Sequence, residues 1–114
     1  MAVIAQTSKK QNGAFTVTET TLTASDTLTY ISGSGQLLVL RNTTGAPVNV
    51  TIDGSGSTTI TPPGYGGTVD VSTGKLIAVG ANAVVAVYLD KISAFMLGTV
   101  AVTGGVGVVA SLIG

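Results

Sequence analysis

The chain has 114 residues, enough for one domain with its own core. It contains no cysteine or histidine, which excludes disulfides, thiolate metal sites and histidine acid–base chemistry. Charged residues make up 9%, against about 25% in ordinary soluble domains, and five basic side chains balance five acidic ones. A chain with no net charge has no field to steer nucleic acid or an acidic membrane, and little repulsion between copies.

Met1–Ala5 is apolar but too short for a signal-peptide core, and Lys9 and Lys10 follow it instead of preceding it. No strand pattern continues after Ile4, so residues 1–13 read as an extended arm. Met1, Val3 and Ile4 are its candidate contacts with a partner, by strand addition or groove binding. Removing Met1–Ser8 is expected to spare the fold and to weaken attachment to the partner. Residues 14–114 read as a single all-β domain.

Phe15–Thr20 alternates apolar and polar residues with period two, as does Thr27–Ile31 after a turn at Ala24–Asp26. Gln36–Arg41 is apolar throughout, as in a strand covered on both faces. Asn42–Pro47 is a turn, and Val48–Asp53 alternates with Val48, Val50 and Ile52 on one face. These two strands carry the strongest hairpin signal of the chain.

Ser57–Thr61 is a short strand stopped by Pro62 and Pro63. Gly67–Ser72 alternates, with Val69 and Val71 inward. Lys75–Val79 and Ala83–Leu89 flank a turn at Gly80–Asn82, and the second of these looks covered on both faces. Turns at this spacing indicate a β-sandwich of about eight strands, jelly-roll or immunoglobulin-like. Thr, Val and Gly are poor helix formers, and no cap precedes a helical period.

The five acids are scattered singly. Asp53, Asp70 and Asp90 lie near strand ends, where turn or capping roles suit them. No loop gathers the six or more oxygens that calcium needs, and no serine or threonine has an activating base in view. The expectation is a protein without cofactor, metal or enzymatic activity.

Gly105–Ala110 matches a dinucleotide-binding glycine pattern, but Ser111–Gly114 supplies neither the helix nor the acidic residue that must follow. Asn42–Thr44 and Asn49–Thr51 match the glycosylation sequon by chance in a threonine-rich chain. Asp53–Ser57 lacks the lysine and helix of a phosphate loop.

Ile92–Gly114 contains no charge. Phe95, Met96 and Leu97 form an apolar knot, and two β-branched runs flank Gly104–Gly105 as in a two-residue hairpin. A membrane helix is the alternative, opposed by five glycines and by the lack of aromatic or basic flanks. A hairpin apolar on both faces belongs inside the sandwich or between subunits. The candidate subunit interface is Phe95, Met96, Leu97, Val100, Val102, Val106, Val108, Val109, Leu112 and Ile113.

The stretch Leu37–Gly54, followed by Val85–Leu89, resembles the small β-sandwich decoration, or cement, proteins of tailed-bacteriophage heads. The likeness is one of strand pattern and size. It implies a non-catalytic protein on the outer surface of the capsid that bridges subunits of the major capsid protein. It also implies self-association, with a trimer favoured and a dimer possible, and no nucleic-acid or membrane partner. Two rivals stand beside it. One is a carbohydrate- or receptor-binding module of a phage tail or spike, with Tyr65 as the exposed aromatic. The other is a membrane-associated virion protein using residues 92–114.

Overall fold

The computed structural model describes residues 2–56, 59, 60, 64, 66–70, 72, 74–96 and 99–114. The chain is all-β, built as two sheets on one core. The strands are β1 (Gln6–Thr7), β2 (Glu19–Thr21), β3 (Ser25–Leu28), β4 (Leu37–Asn42), β5 (Val48–Gly54), β6 (Thr59–Ile60), β7 (Val69–Asp70), β8 (Lys75–Val79), β9 (Val84–Tyr88), β10 (Val100–Thr103) and β11 (Val108–Ile113). A kinked pair of 3-10 turns, Leu89–Phe95, is the only helical piece among the described residues.

One sheet runs β1-β11-β4-β9, with β2 also on β11; the other runs β3-β10-β5-β8. β6 and β7 form a separate ribbon. Apart from that ribbon, the chain changes sheet at almost every link, so most connections cross the core and few form hairpins. Alternation selects what faces inward. Leu38, Leu40, Val108, Ala110 and Leu112 from one sheet meet Val50, Ile52, Ile77, Val79, Val100 and Val102 from the other, all buried.

Two expected hairpins do not form. β4 and β5 lie in opposite sheets, β4 between β11 and β9 and β5 between β10 and β8. The turn between them is tied down by Asn42, whose buried amide donates to the carbonyls of Ala46 (2.8 Å), Val79 (3.2 Å) and Gly80 (3.1 Å). Asn42 Oδ1 accepts from the Thr44 amide at 2.9 Å.

The C-terminal hairpin is likewise replaced by a crossing. β10 pairs with β3 and β5, whereas β11 pairs with β4, β2 and β1. Gly104 (φ 76) and Gly107 (φ 87) turn the chain from one sheet to the other. A Cβ on Gly105 would stand 2.6 Å from Leu22 Cδ1, so Leu22 fills the space a side chain would take. Both strands are central in their sheets, which is why this end carries no charge. Laterally and on one face it is surrounded by the domain itself.

Other boundaries also differ. The strand expected over Phe15–Thr20 begins only at Glu19, and Ser25 and Asp26 belong to β3 instead of a turn. Asp26 is buried because its carboxylate serves the main chain. Oδ1 accepts from the Ala2 amide (3.0 Å) and the Thr23 hydroxyl (2.8 Å), and Oδ2 accepts from the Thr23 amide (2.8 Å).

The N-terminal segment does not extend away from the domain over residues 2–7. The Ile4 amide donates to Thr27 O (2.8 Å) and the Thr27 amide to Ala2 O (3.0 Å), which seals the edge of β3. Ile4 is buried in the core. Two residues on, β1 pairs in parallel with β11 through Gln6↔Leu112 and Thr7↔Ile113. One short segment thus closes the same flank of both sheets.

Candidate subunit-contact surface

The two sheets present different exteriors. In β5, β8, β10 and β3 the residues between the buried ones are Asn49, Thr51, Asp53, Ala78, Ala101, Thr103, Ser25 and Thr27, with Leu76 the one large apolar side chain. This face is small and polar, and water covers it readily.

The other exterior is apolar. Register places Tyr88, Leu37 and Ile113 in one row, Ala86, Val39 and Ser111 in the next, and Val84, Arg41 and Val109 in the third. Val84 is 60% exposed and Tyr88 48%, Leu37 and Val39 are half-buried, and Arg41, central in the third row, is exposed. Arg41, on the middle strand of this face, bonds Glu19 of β2 at 2.8 Å. Both side chains of that pair are exposed, so it contributes little to stability. An apolar sheet face on a domain surface is the candidate contact surface of this chain.

The predicted interface residues divide accordingly. Val100, Val102, Val108, Leu112 and Met96 lie inside the domain's own core and are corrected from contact residues to core residues. Val109 and Ile113 do face outward on the apolar sheet. Val106 is 61% exposed at the turn between the sheets, and Phe95 is half-buried in the 3-10 segment. Of the arm contacts, Ile4 is core and Val3 is 67% exposed, bridged to Thr27. Met1, Leu97, Tyr65, Val71 and the side chain of Val69 lie outside the described residues. The expected double covering of residues 83–89 does not occur: Val85 and Val87 turn inward, whereas Val84, Ala86 and Tyr88 are exposed.

Polar groups cluster at the end of the domain where β9 stops. Asp90 Oδ1 accepts from the Tyr30 hydroxyl (2.7 Å) and the Gly33 amide (3.0 Å), and Oδ2 accepts from the Gly35 amide (3.1 Å). The Tyr30 hydrogen bond, helped by the two amides and by nearby Lys9, holds the Asp90 carboxyl below its ordinary range. Burial, and then Asp90 itself, raises the Tyr30 hydroxyl. Lys9 Nζ donates to Gly35 O at 3.0 Å. Beneath them Gln36 is fully buried. Its Oε1 accepts from the Ile31 amide (2.7 Å), and its Nε2 donates to Gln6 Oε1 (2.6 Å) and Thr29 O (2.9 Å).

Every one of these groups is occupied in fixing the loop between β3 and β4. The Ser72 side chain, and then the Ser72 amide, which donates to Asp70 Oδ1 at 2.8 Å, lower the Asp70 pKa. Among the described residues no three acidic side chains come together, and no helix is long and apolar enough to cross a membrane. Residues 99–114, read as the second half of a possible membrane helix, form β10, β11 and the turn between them.

Comparison of the chain with protein-family models, with curated proteins and with solved structures finds no match.

The sequence missed the contrast between the two exteriors. Its signal was present in the uncharged run from Val79 to Leu89, which alternation alone assigns equally to a buried strand.

Proposed function

We propose that the chain is a structural virion protein, a decoration protein that binds the outer surface of a phage head and stabilises the shell by bridging major capsid subunits. The observation that carries this reading is the strand order. The eight strands of three or more residues, taken in chain order, occupy β2-β11-β4-β9 in one sheet and β3-β10-β5-β8 in the other. First pairs with last and second with next-to-last, an order that supports reading the sandwich as a jelly roll, a fold that recurs in viral capsid and lectin domains. Fold alone does not assign function. The apolar exterior of β9, β4 and β11 supplies the site, because a decoration protein works through contact with protein surfaces. The residue inventory, without histidine or cysteine, fits a non-catalytic role.

The mechanism is mechanical. A shell offers many symmetric sites, and a copy, or an oligomer of copies, that touches two capsid subunits converts its second contact into an intramolecular one. The contact raises the barrier to separating those subunits.

The test is addition of the purified chain to phage heads that lack it, followed by sedimentation and a heat-release assay of packaged DNA. Saturable binding to expanded heads, with a higher temperature of DNA release, supports the proposal. Absence of binding overturns it.

A further inference from the structure

The hydrogen-bond parity of β9 leaves its outer edge open. The Asn42 amide donates to Ala83 O (2.9 Å) and the Leu89 amide to Gln36 O (3.0 Å). Between these two points the antiparallel register is unbroken. Bonding residues alternate along such a ladder. Val85 and Val87 therefore point their main-chain groups at β4, and Val84, Ala86 and Tyr88 point theirs away. Among the described residues no strand or loop bonds to those three. Their side chains are also exposed.

Edges of this kind template pairing with other chains unless charge, proline, a bulge or a covering segment blocks them. The domain covers the opposite flank with residues 2–7, on β3 and on β11. β8, the neighbouring edge, begins with Lys75. β9 has no such protection: Val84-Val85-Ala86-Val87-Tyr88 contains no charge, proline or glycine.

We propose that β9 pairs antiparallel with β9 of a second copy about a twofold axis at Ala86, joining the two apolar sheets into one. The strand is complementary to itself in that register. Ala86 faces Ala86 of the other copy, Val84 faces Tyr88 and Tyr88 faces Val84. Each facing pair exchanges both of its hydrogen bonds, so every open main-chain group on the edge is used. The small Ala86 side chain keeps the axis clear. Val84 beside Tyr88 is a β-branched–aromatic cross-strand pair, a favourable combination, and no charge faces another. A strand from a different protein could meet the same edge. The free chain, however, must protect this edge before it meets any partner, and a second copy is always at hand. The proposal stands independently of the capsid reading.

The full chain is measured by sedimentation velocity across a dilution series, with hydrogen exchange read at single amides. The expected species has twice the 11.2 kDa chain mass. Amides of Val84, Ala86 and Tyr88 exchange slowly in it and become fast on dilution. Ala86→Pro removes an N–H that bonds nothing within one chain. It is expected to give single-chain mass with an unchanged circular dichroism spectrum. Ala86→Lys serves the same purpose should the proline variant not fold. Leu76→Lys, on the polar exterior, leaves the dimer intact. A single-chain or three-chain mass for the wild type, fast exchange at the three amides within the dimer, or a dimer that persists in Ala86→Lys overturns the proposal. A wild-type monomer whose binding to heads is lost in Ala86→Lys also overturns it, and assigns the edge to a strand of another protein.

Discussion

The Tyr30 hydroxyl donates to the Asp90 carboxylate over 2.7 Å, tying the loop after β3 to the turn after β9 across 60 residues of sequence. The same carboxylate collects the amides of Gly33 and Gly35. Its pKa is lowered in the folded chain. A lowered carboxylate pKa stabilises the fold above its unfolded value, and that contribution is lost as pH falls through the folded pKa. Acid titration of the wild type should therefore loosen residues 31–35 below the ordinary carboxylate range. Asp90→Asn should be less stable at neutral pH and should lack this acid-dependent step. Amide exchange at Gly33 and Gly35 against pH checks both statements.

Gln36→Leu should destabilise the chain by about 2–4 kcal/mol. It would take the buried Gln36 amide away from the Ile31 amide, the Thr29 carbonyl and the Gln6 side chain, three part-buried hydrogen bonds, at about 1–3 kcal/mol for each group left unsatisfied and without full additivity. Denaturant unfolding gives the value. A cost under half a kcal/mol would show that water replaces the amide.

Leu112→Ala should cost about 2–5 kcal/mol, the usual range for a buried leucine truncated to alanine. Leu112 lies in the domain's own core. The loss should therefore be independent of protein concentration, unlike that of an interface residue. Melting curves at concentrations a hundredfold apart decide between the two.

Deleting residues 1–7 should destabilise the fold and promote aggregation, contrary to the expectation for a free arm. The deletion removes Ile4 from the core and uncovers the edges of β3 and β11. Ile4→Ala alone should cost about 2–5 kcal/mol. Light scattering of the deletion and denaturant unfolding of the point variant measure the two effects.

The alternation of Val48, Val50 and Ile52, and that of Val100 and Val102, was legible because a half-buried strand repeats every two residues. So were the turns at Asn42–Pro47 and Gly80–Asn82. Pairing was not legible. A turn of four or five residues suits either a hairpin or a crossing between sheets, and the choice at Gly104–Gly107 depends on Leu22, some eighty residues earlier. The uncharged C-terminus was read as a surface in need of a partner. Its strands are central, and an uncharged strand buried among its own neighbours looks the same in sequence as one buried by another subunit. The edge of β9 was hidden for the converse reason: nothing in Val84–Tyr88 distinguishes a covered strand from an open one.

Two central strands, β10 and β11, are also the last of the described strands in chain order. Until residue 103 is made, β3 and β5 lack the strand that joins them, and until residue 113 is made, β4 and β2 lack theirs. The nascent domain therefore holds unjoined half-sheets, and folding is a single late event with long loops to close. Slow, non-local closure of this kind exposes apolar strands for as long as it lasts. Low temperature and slow expression should raise the yield of folded chain far more than they would for a domain whose sheet grows outward from its first hairpin.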